Sequence, residues 1–190
     1  LDLPSSILTK THCAGYCGDC DPHTYMETVD SFETGCLTGE QNMNGDAVKI
    51  TYALSVPTKA VHLIRDPFDN IVARLQLAVE RRKQLGWSEE QLAQYNNSKE
   101  GLHAWCDYIN TKFAKETFKS DLISPAVKEL MKDVPCHADF FRYAQWHNLA
   151  IEMTDRMNLP MLYLHYEDYN LDYNKTVADF ISFLYLQPVS

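Results

Sequence analysis

With 190 residues, 45% of them hydrophobic, the chain can close one full core but is short for two, so one domain over residues 1–190 is expected. The formal charge of −9, from 26 acids against 17 bases, argues against a nucleic-acid partner, because neutralising phosphates needs a basic face. No apolar run approaches ~18 residues, so no membrane span is predicted, and since the chain starts at Leu1 rather than Met, an upstream leader or anchor is compatible with it.

Residues 6–10, SILTK, read as a short buried strand with a polar end. Residues 13–48 hold five of the seven glycines and four cysteines, which predicts a long loop-rich insertion with one helix near 24–32. An apolar run at 60–64 predicts a second strand, and a helix over 67–85 follows with Ile71, Val72, Leu75 and Val79 on one face and Gly86 ending it. Helical patterns recur at 88–95, 102–118, 124–131 and 138–157. A third strand is predicted at 161–166 after Pro160, and a last helix at 174–184 with Val177, Phe180, Ile181 and Leu184 inward. Strands separated by helices imply a parallel sheet in an α/β layer structure. Three strands are few for such a sheet, so part of it is expected to lie outside this chain.

The six cysteines and two acceptor tripeptides for N-glycosylation, Asn96-Asn97-Ser98 and Asn174-Lys175-Thr176, point to an oxidising, secretory-type compartment. Cys17-x2-Cys20, near Cys13, Cys36, His12 and His23, admits disulfides, a zinc cluster or free thiols. The expected grouping keeps the early four cysteines among themselves and joins Cys106 to Cys136. Cys13 beside His12 is also weighed as a nucleophile, although adjacent strand residues face opposite sides.

The junction between the second strand and its helix, HLIRDPFDN, is where the chemistry starts. In an open parallel sheet, ligands sit at the carboxyl ends of the strands, the place Arg65 occupies. Asp66 suits the N-cap, Pro67 the first helical position, and Asp69 a capping-box spacing. Unpaired first-turn N–H groups and the guanidinium together would suit phosphate, whereas an ordinary surface ion pair is the plainer alternative. In SSILTKTHC, Lys10 and His12 project to the same side of a strand, so an ammonium and an imidazole can converge on one reacting centre. Such a base and cation are what moving an anionic group to a hydroxyl requires.

Three segments, ILTKTHC, HLIRDPFDNIVAR and WHNLAIEMTDRMNLPMLYLHYEDYNLDYNKTVADFISFL, come in the order of the sulfotransferases that use 3′-phosphoadenosine-5′-phosphosulfate, and the chain resembles that family. The resemblance implies a three-layer parallel sheet flanked by helices, the P-loop-NTPase-like sulfotransferase fold, incomplete in this chain. It implies that His12 is the general base on the acceptor hydroxyl and that Lys10 contacts the transferring group. Arg65 would bind the 3′-phosphate and Tyr166 would lie near the adenine. The co-substrate would be 3′-phosphoadenosine-5′-phosphosulfate, no metal would be needed, and the acceptor would be a hydroxyl-bearing molecule, a carbohydrate, in the Golgi lumen or outside the cell.

The sequence also departs from the family pattern. Where a serine usually assists the 3′-phosphate stands Ala73, followed by Arg74, whose side chain is the one available to compensate by turning back to the nucleotide. The amino-terminal phosphate loop and the basic closing segment near the carboxyl end have no counterpart. Two expectations follow: a piece of a longer sulfotransferase, or a non-catalytic relative serving as a structural or binding subunit with protein partners. Elsewhere the plain readings are preferred. His62 and His165 are expected as core or edge histidines, Tyr163 on the core side, and Trp87, Trp105 and Trp146 between helices, with Trp146 also able to border the nucleotide. Arg81, Arg82 and Lys83 read as a solvated last turn.

Overall fold

Residues 8–9, 13, 28–43, 46–115 and 123–185 are described by the structure of the protein, a computed structural model. Helix α1 (Val29–Cys36) leads into an antiparallel hairpin, β1 (Thr38–Met43) and β2 (Asp46–Thr51). Strand β3 (Ala60–Ile64) and helix α2 (Pro67–Gln84) follow. Then come α3 (Glu89–Ala93), α4 (Lys99–Lys115), α5 (Pro125–Met131) and α6 (His137–Arg156). Strand β4 (Met161–His165), α7 (Asp168–Leu171) and α8 (Tyr173–Tyr185) complete the described chain. The result is a mixed α/β protein, mostly helical, in which β3 and β4 form a small parallel sheet with Ala60 opposite Met161 and Ile64 opposite His165.

Local chemistry explains most of these boundaries. Asp66, Ser88 and Ser124 each accept a backbone N–H of the helix they precede, as N-cap residues do. Thr28 and Ser31 form a reciprocal capping box that starts α1 at Val29, later than the helix expected at 24–32. The hairpin after it was not foreseen. Its first strand, TGEQNM, has no apolar alternation to betray it. The signal that could have found it is Asn44-Gly45 between the two strands, the dipeptide most typical of tight hairpins. The strand expected at 6–10 lies outside the described residues except for Leu8 and Thr9, which are exposed and not in a strand.

The larger core lies where α2, α4 and α6 meet, around Ile71, Leu75, Trp105, Ile109 and Phe113. A disulfide between Cys106 and Cys136 ties α4 to the residue ahead of α6, as expected. A second core forms where α1 lies on α6: Phe32 is fully buried against Leu149, Ala150 and Met153, with Trp146 edge-on at 5.8 Å. Trp146 therefore packs between helices. Cys13–Cys36 is a second disulfide, within the early group. Cys17 and Cys20 lie outside the described residues. Two disulfides fit an oxidising, secretory-pathway or extracellular setting. Among the described residues no helix is long and apolar enough to cross a membrane, and no group of three or more His, Cys, Asp or Glu could hold a metal ion.

Two expectations about facing are corrected. Ile181 and Leu184 of α8 point outward, 45% and 37% exposed. A described sheet only two strands wide gives α8 little to cover, and Lys59 instead anchors the end of that helix by donating to the Phe183 carbonyl at 2.7 Å. Arg82, read as part of a solvated turn, sits among four rings, with Trp105 at 4.8 Å, Trp87 and Tyr108 at 5.1 Å and Tyr95 at 5.9 Å. Guanidinium is weakly hydrated and stacks on aromatic faces, so this cluster captures it where a lysine would stay in water.

Gly101, in the first turn of α4, is buried and donates its N–H to Ser98 Oγ at 3.1 Å. A Cβ there would collide with the backbone carbonyl oxygen of Asn96. Gly101→Ala is expected to lower stability by about 1–2 kcal/mol despite alanine's better helix propensity, because the overlap outweighs that gain. Urea unfolding of the two proteins checks this; a more stable alanine variant would show that the α3–α4 turn yields freely.

Candidate functional site: the Arg65 junction

Strand β3 ends at Ile64, and Arg65 is the one residue between it and Asp66, the N-cap of α2. The neighbouring strand ends alongside: the Tyr166 N–H donates to the Ile64 carbonyl at 2.7 Å, one step beyond the β4 ladder. Arg65 and Tyr166, 101 positions apart in the chain, are thereby set side by side, with the guanidinium carbon 5.1 Å from the centre of the Tyr166 ring. Tyr166 is 47% exposed, so the ring is open to solvent beside the cation.

The acids around this arginine are occupied. Asp66 Oδ1 accepts the Phe68 and Asp69 amides at 2.8 and 3.1 Å, and Glu167 Oε1 accepts the Asp66 amide at 2.9 Å. Among the described residues Arg65 makes no ion pair, and its Nε is buried without a hydrogen-bond partner. An arginine beside two carboxylates would ordinarily be neutralised by one of them. Here the carboxylates serve backbone N–H groups and the guanidinium's donors are held in reserve. The same arrangement corrects one sequence expectation: the first-turn amides of α2 are not open to an anion, because Asp66 itself takes those of Phe68 and Asp69.

Behind the junction lies a buried histidine pair. His62 on β3 is 5% exposed, and its Nε2 lies 2.7 Å from Nδ1 of His147 on α6, the rings stacked at 4.8 Å. Tyr143 packs against His147 at 4.2 Å and donates its hydroxyl to the Arg65 carbonyl at 2.6 Å. Burial lowers the pKa of both histidines, and for His147, which also feels the charge of its partner, to about 4. Both rings are therefore neutral at pH 7, sharing one proton across a single hydrogen bond. His62 is thus a core histidine bonded at Nε2 while its buried Nδ1 has no hydrogen-bond partner among the described residues, whereas His165 is exposed at the end of β4. Tyr163, expected on the core side, neighbours His62 at 5.8 Å yet remains 45% exposed.

Of the residues singled out in the sequence, Arg65 and Tyr166 are brought together. Arg74 is not directed to that pair: its Nε donates to Asp139 Oδ1 at 3.1 Å, a carboxylate wholly buried on α6. The pull of a buried charge holds it inward in this structure. Lys10 and His12 lie outside the described residues. Sequence reasoning missed Tyr143, Glu167 and His147. Glu167 could have been suspected from Tyr-Glu-Asp, whereas nothing local marks Tyr143, 78 positions from the carbonyl it binds.

An unpaired guanidinium stacked on an exposed phenol ring can bind a ligand that carries both an anionic oxygen group and a flat ring. A tyrosine row continues from it, with Tyr169 6.5 Å from Tyr166 and Tyr173 6.3 Å further on. Comparison with known proteins gave no matching family model, no matching curated protein and no matching solved structure.

Proposed function

We propose that the chain is part of a sulfotransferase that moves a sulfuryl group from 3′-phosphoadenosine-5′-phosphosulfate to a hydroxyl of an acceptor, a carbohydrate, in the Golgi lumen or outside the cell. The observation that carries this reading is the Arg65–Tyr166 pair: a guanidinium with unspent donors, stacked on an open ring, at the carboxyl ends of two parallel strands. In this reading Arg65 takes the 3′-phosphate, Tyr166 borders the adenine, and the β3–β4 pair belongs to a wider three-layer sheet. His12 removes the acceptor proton. The acceptor oxygen forms its bond to sulfur as the bond to the bisphosphate oxygen breaks, and Lys10 steadies the charge moving onto that leaving oxygen. The transition state is loose and in line, as in phosphoryl transfer.

A second reading has its own support. Ala73 offers no hydroxyl, Arg74 is held by Asp139, and Asp66 occupies the α2 amides. These features suit a non-catalytic relative that keeps the fold as a binding subunit. Isothermal titration with adenosine 3′,5′-bisphosphate separates the two. The enzyme reading expects saturable binding that Arg65→Ala weakens about 10–100-fold, the loss of a charge-assisted phosphate contact. Absence of binding by the wild-type chain, both as this segment and within any longer polypeptide, would retire it. Retained transfer by His12→Ala would reassign the base.

A further inference from the structure

The peptide unit that joins Arg65 to Asp66 is held at both of its polar ends. Its carbonyl oxygen accepts the Tyr143 hydroxyl at 2.6 Å, and its N–H donates to Glu167 Oε1 at 2.9 Å. A peptide is planar and turns as one body, so a tether on each side blocks its rotation. One tether comes from α6 and the other from the turn after β4, 78 and 101 positions away in sequence. Neither bond is part of a helix or strand ladder, and secondary structure alone demands neither.

We propose that Tyr143 and Glu167 are positioning residues: they clamp the Arg65–Asp66 peptide so that the Arg65 guanidinium stays over Tyr166, facing an incoming phosphate. The inference rests on the reading of Arg65 as an anion ligand. A long arginine at a strand–helix junction has many rotamers, and affinity is lost in ordering them unless the backbone beneath is fixed. Glu167 also has a second effect. A carboxylate free to swing would pair with Arg65, and by binding the Asp66 amide it is kept from doing so. Burial and the charges of Asp66 and Glu167 push the Tyr143 pKa up, so its hydroxyl keeps the proton it donates.

The clamp is tested with Tyr143→Phe, which keeps the ring against His147, and with Glu167→Ala and Glu167→Gln. Titration with adenosine 3′,5′-bisphosphate is expected to give about 5–10-fold weaker binding for Tyr143→Phe and Glu167→Ala, while Glu167→Gln, which keeps an acceptor oxygen, stays within about two-fold of wild type. In an Arg65→Ala background the Tyr143→Phe change is expected to have no further effect, a result that a merely structural tyrosine would not give. NMR relaxation of the Arg65 Nε–H reads the clamp without ligand, its order parameter falling in both Tyr143→Phe and Glu167→Ala. Unchanged order in both variants overturns the clamp, whatever the binding result. A wild-type chain that ignores the bisphosphate overturns the nucleotide reading instead, and the order parameter alone then decides the clamp.

Discussion

Asp139→Asn is expected to be strongly destabilising, costing about 3–5 kcal/mol. The Asp139 carboxylate is completely buried on α6 and is approached by Arg74 Nε at 3.1 Å and Arg142 Nη1 at 3.5 Å, the latter side chain only 6% exposed. Removing the negative charge takes the Asp139 carboxylate away from two guanidinium groups at once, one of them in the interior, and desolvation makes that costlier than the loss of one hydrogen bond. Arg74→Met takes the closer guanidinium from the wholly buried Asp139 carboxylate and leaves it Arg142 Nη1 at 3.5 Å, so a loss of about 2–3 kcal/mol is expected. Replacing both ends of the buried pair, Asp139→Leu with Arg142→Met, is expected to regain most of the loss, since two apolar side chains need no desolvation. Urea unfolding monitored by circular dichroism measures all four proteins. A single Asp139→Asn loss below about 1 kcal/mol would mean that water reaches this cluster.

The second large effect is on acid stability. His62 and His147 have pKa values below the ordinary histidine value of 6.5 in the folded chain, and His147 falls to about 4. A base whose folded pKa is depressed binds its proton more readily when unfolded. Its contribution is fully present above pH 6.5 and is lost as pH falls toward 4. For His147 alone the loss is about 2 kcal/mol by pH 5 and on the order of 3 kcal/mol near pH 4. The cause is geometric. Rings stacked at 4.8 Å in a buried contact between β3 and α6 cannot both carry charge, and Trp146, Tyr143 and Tyr163 around them offer no carboxylate to compensate. Carboxylates elsewhere also titrate near pH 4, so the comparison is with the double variant His62→Phe, His147→Gln. Its stability is expected to fall less between pH 7 and 5 than that of wild type. Parallel pH dependence in the two proteins would place the acid sensitivity elsewhere.

How much of this was legible beforehand depended on the range of the forces involved. Strand β3 and helix α2 could be read almost to the residue, because the apolar run AVHLI, Asp66, Pro67 and Gly86 each act within a few positions of the boundary they set. The Cys106–Cys136 pairing agreed as well. The β1–β2 hairpin escaped because the sequence of its first strand, TGEQNM, is polar and lacks the apolar alternation by which a strand is recognised. Arg82 was misread for a related reason: the rings that receive it include Tyr95, Trp105 and Tyr108, which only folding gathers. At the candidate site, Arg65 and Tyr166 could be named from motif resemblance, and Arg74 was named only as the neighbour of Ala73 able to turn back to the nucleotide. Its buried partner, Asp139, lies 65 positions later.

By itself, the sequence determined strand β3, the start and end of α2, and which cation would stand at the end of β3. Those choices are made by short-range backbone sterics, capping and hydrophobic periodicity, all encoded within one or two turns. Only the tertiary structure decided which charges are spent and which are kept. Whether Arg65, Arg74 or Arg82 is neutralised, buried or held ready depends on carboxylates and rings delivered from distant elements. Electrostatic energy inside a protein is set by distance and burial, neither of which separation along the chain reveals.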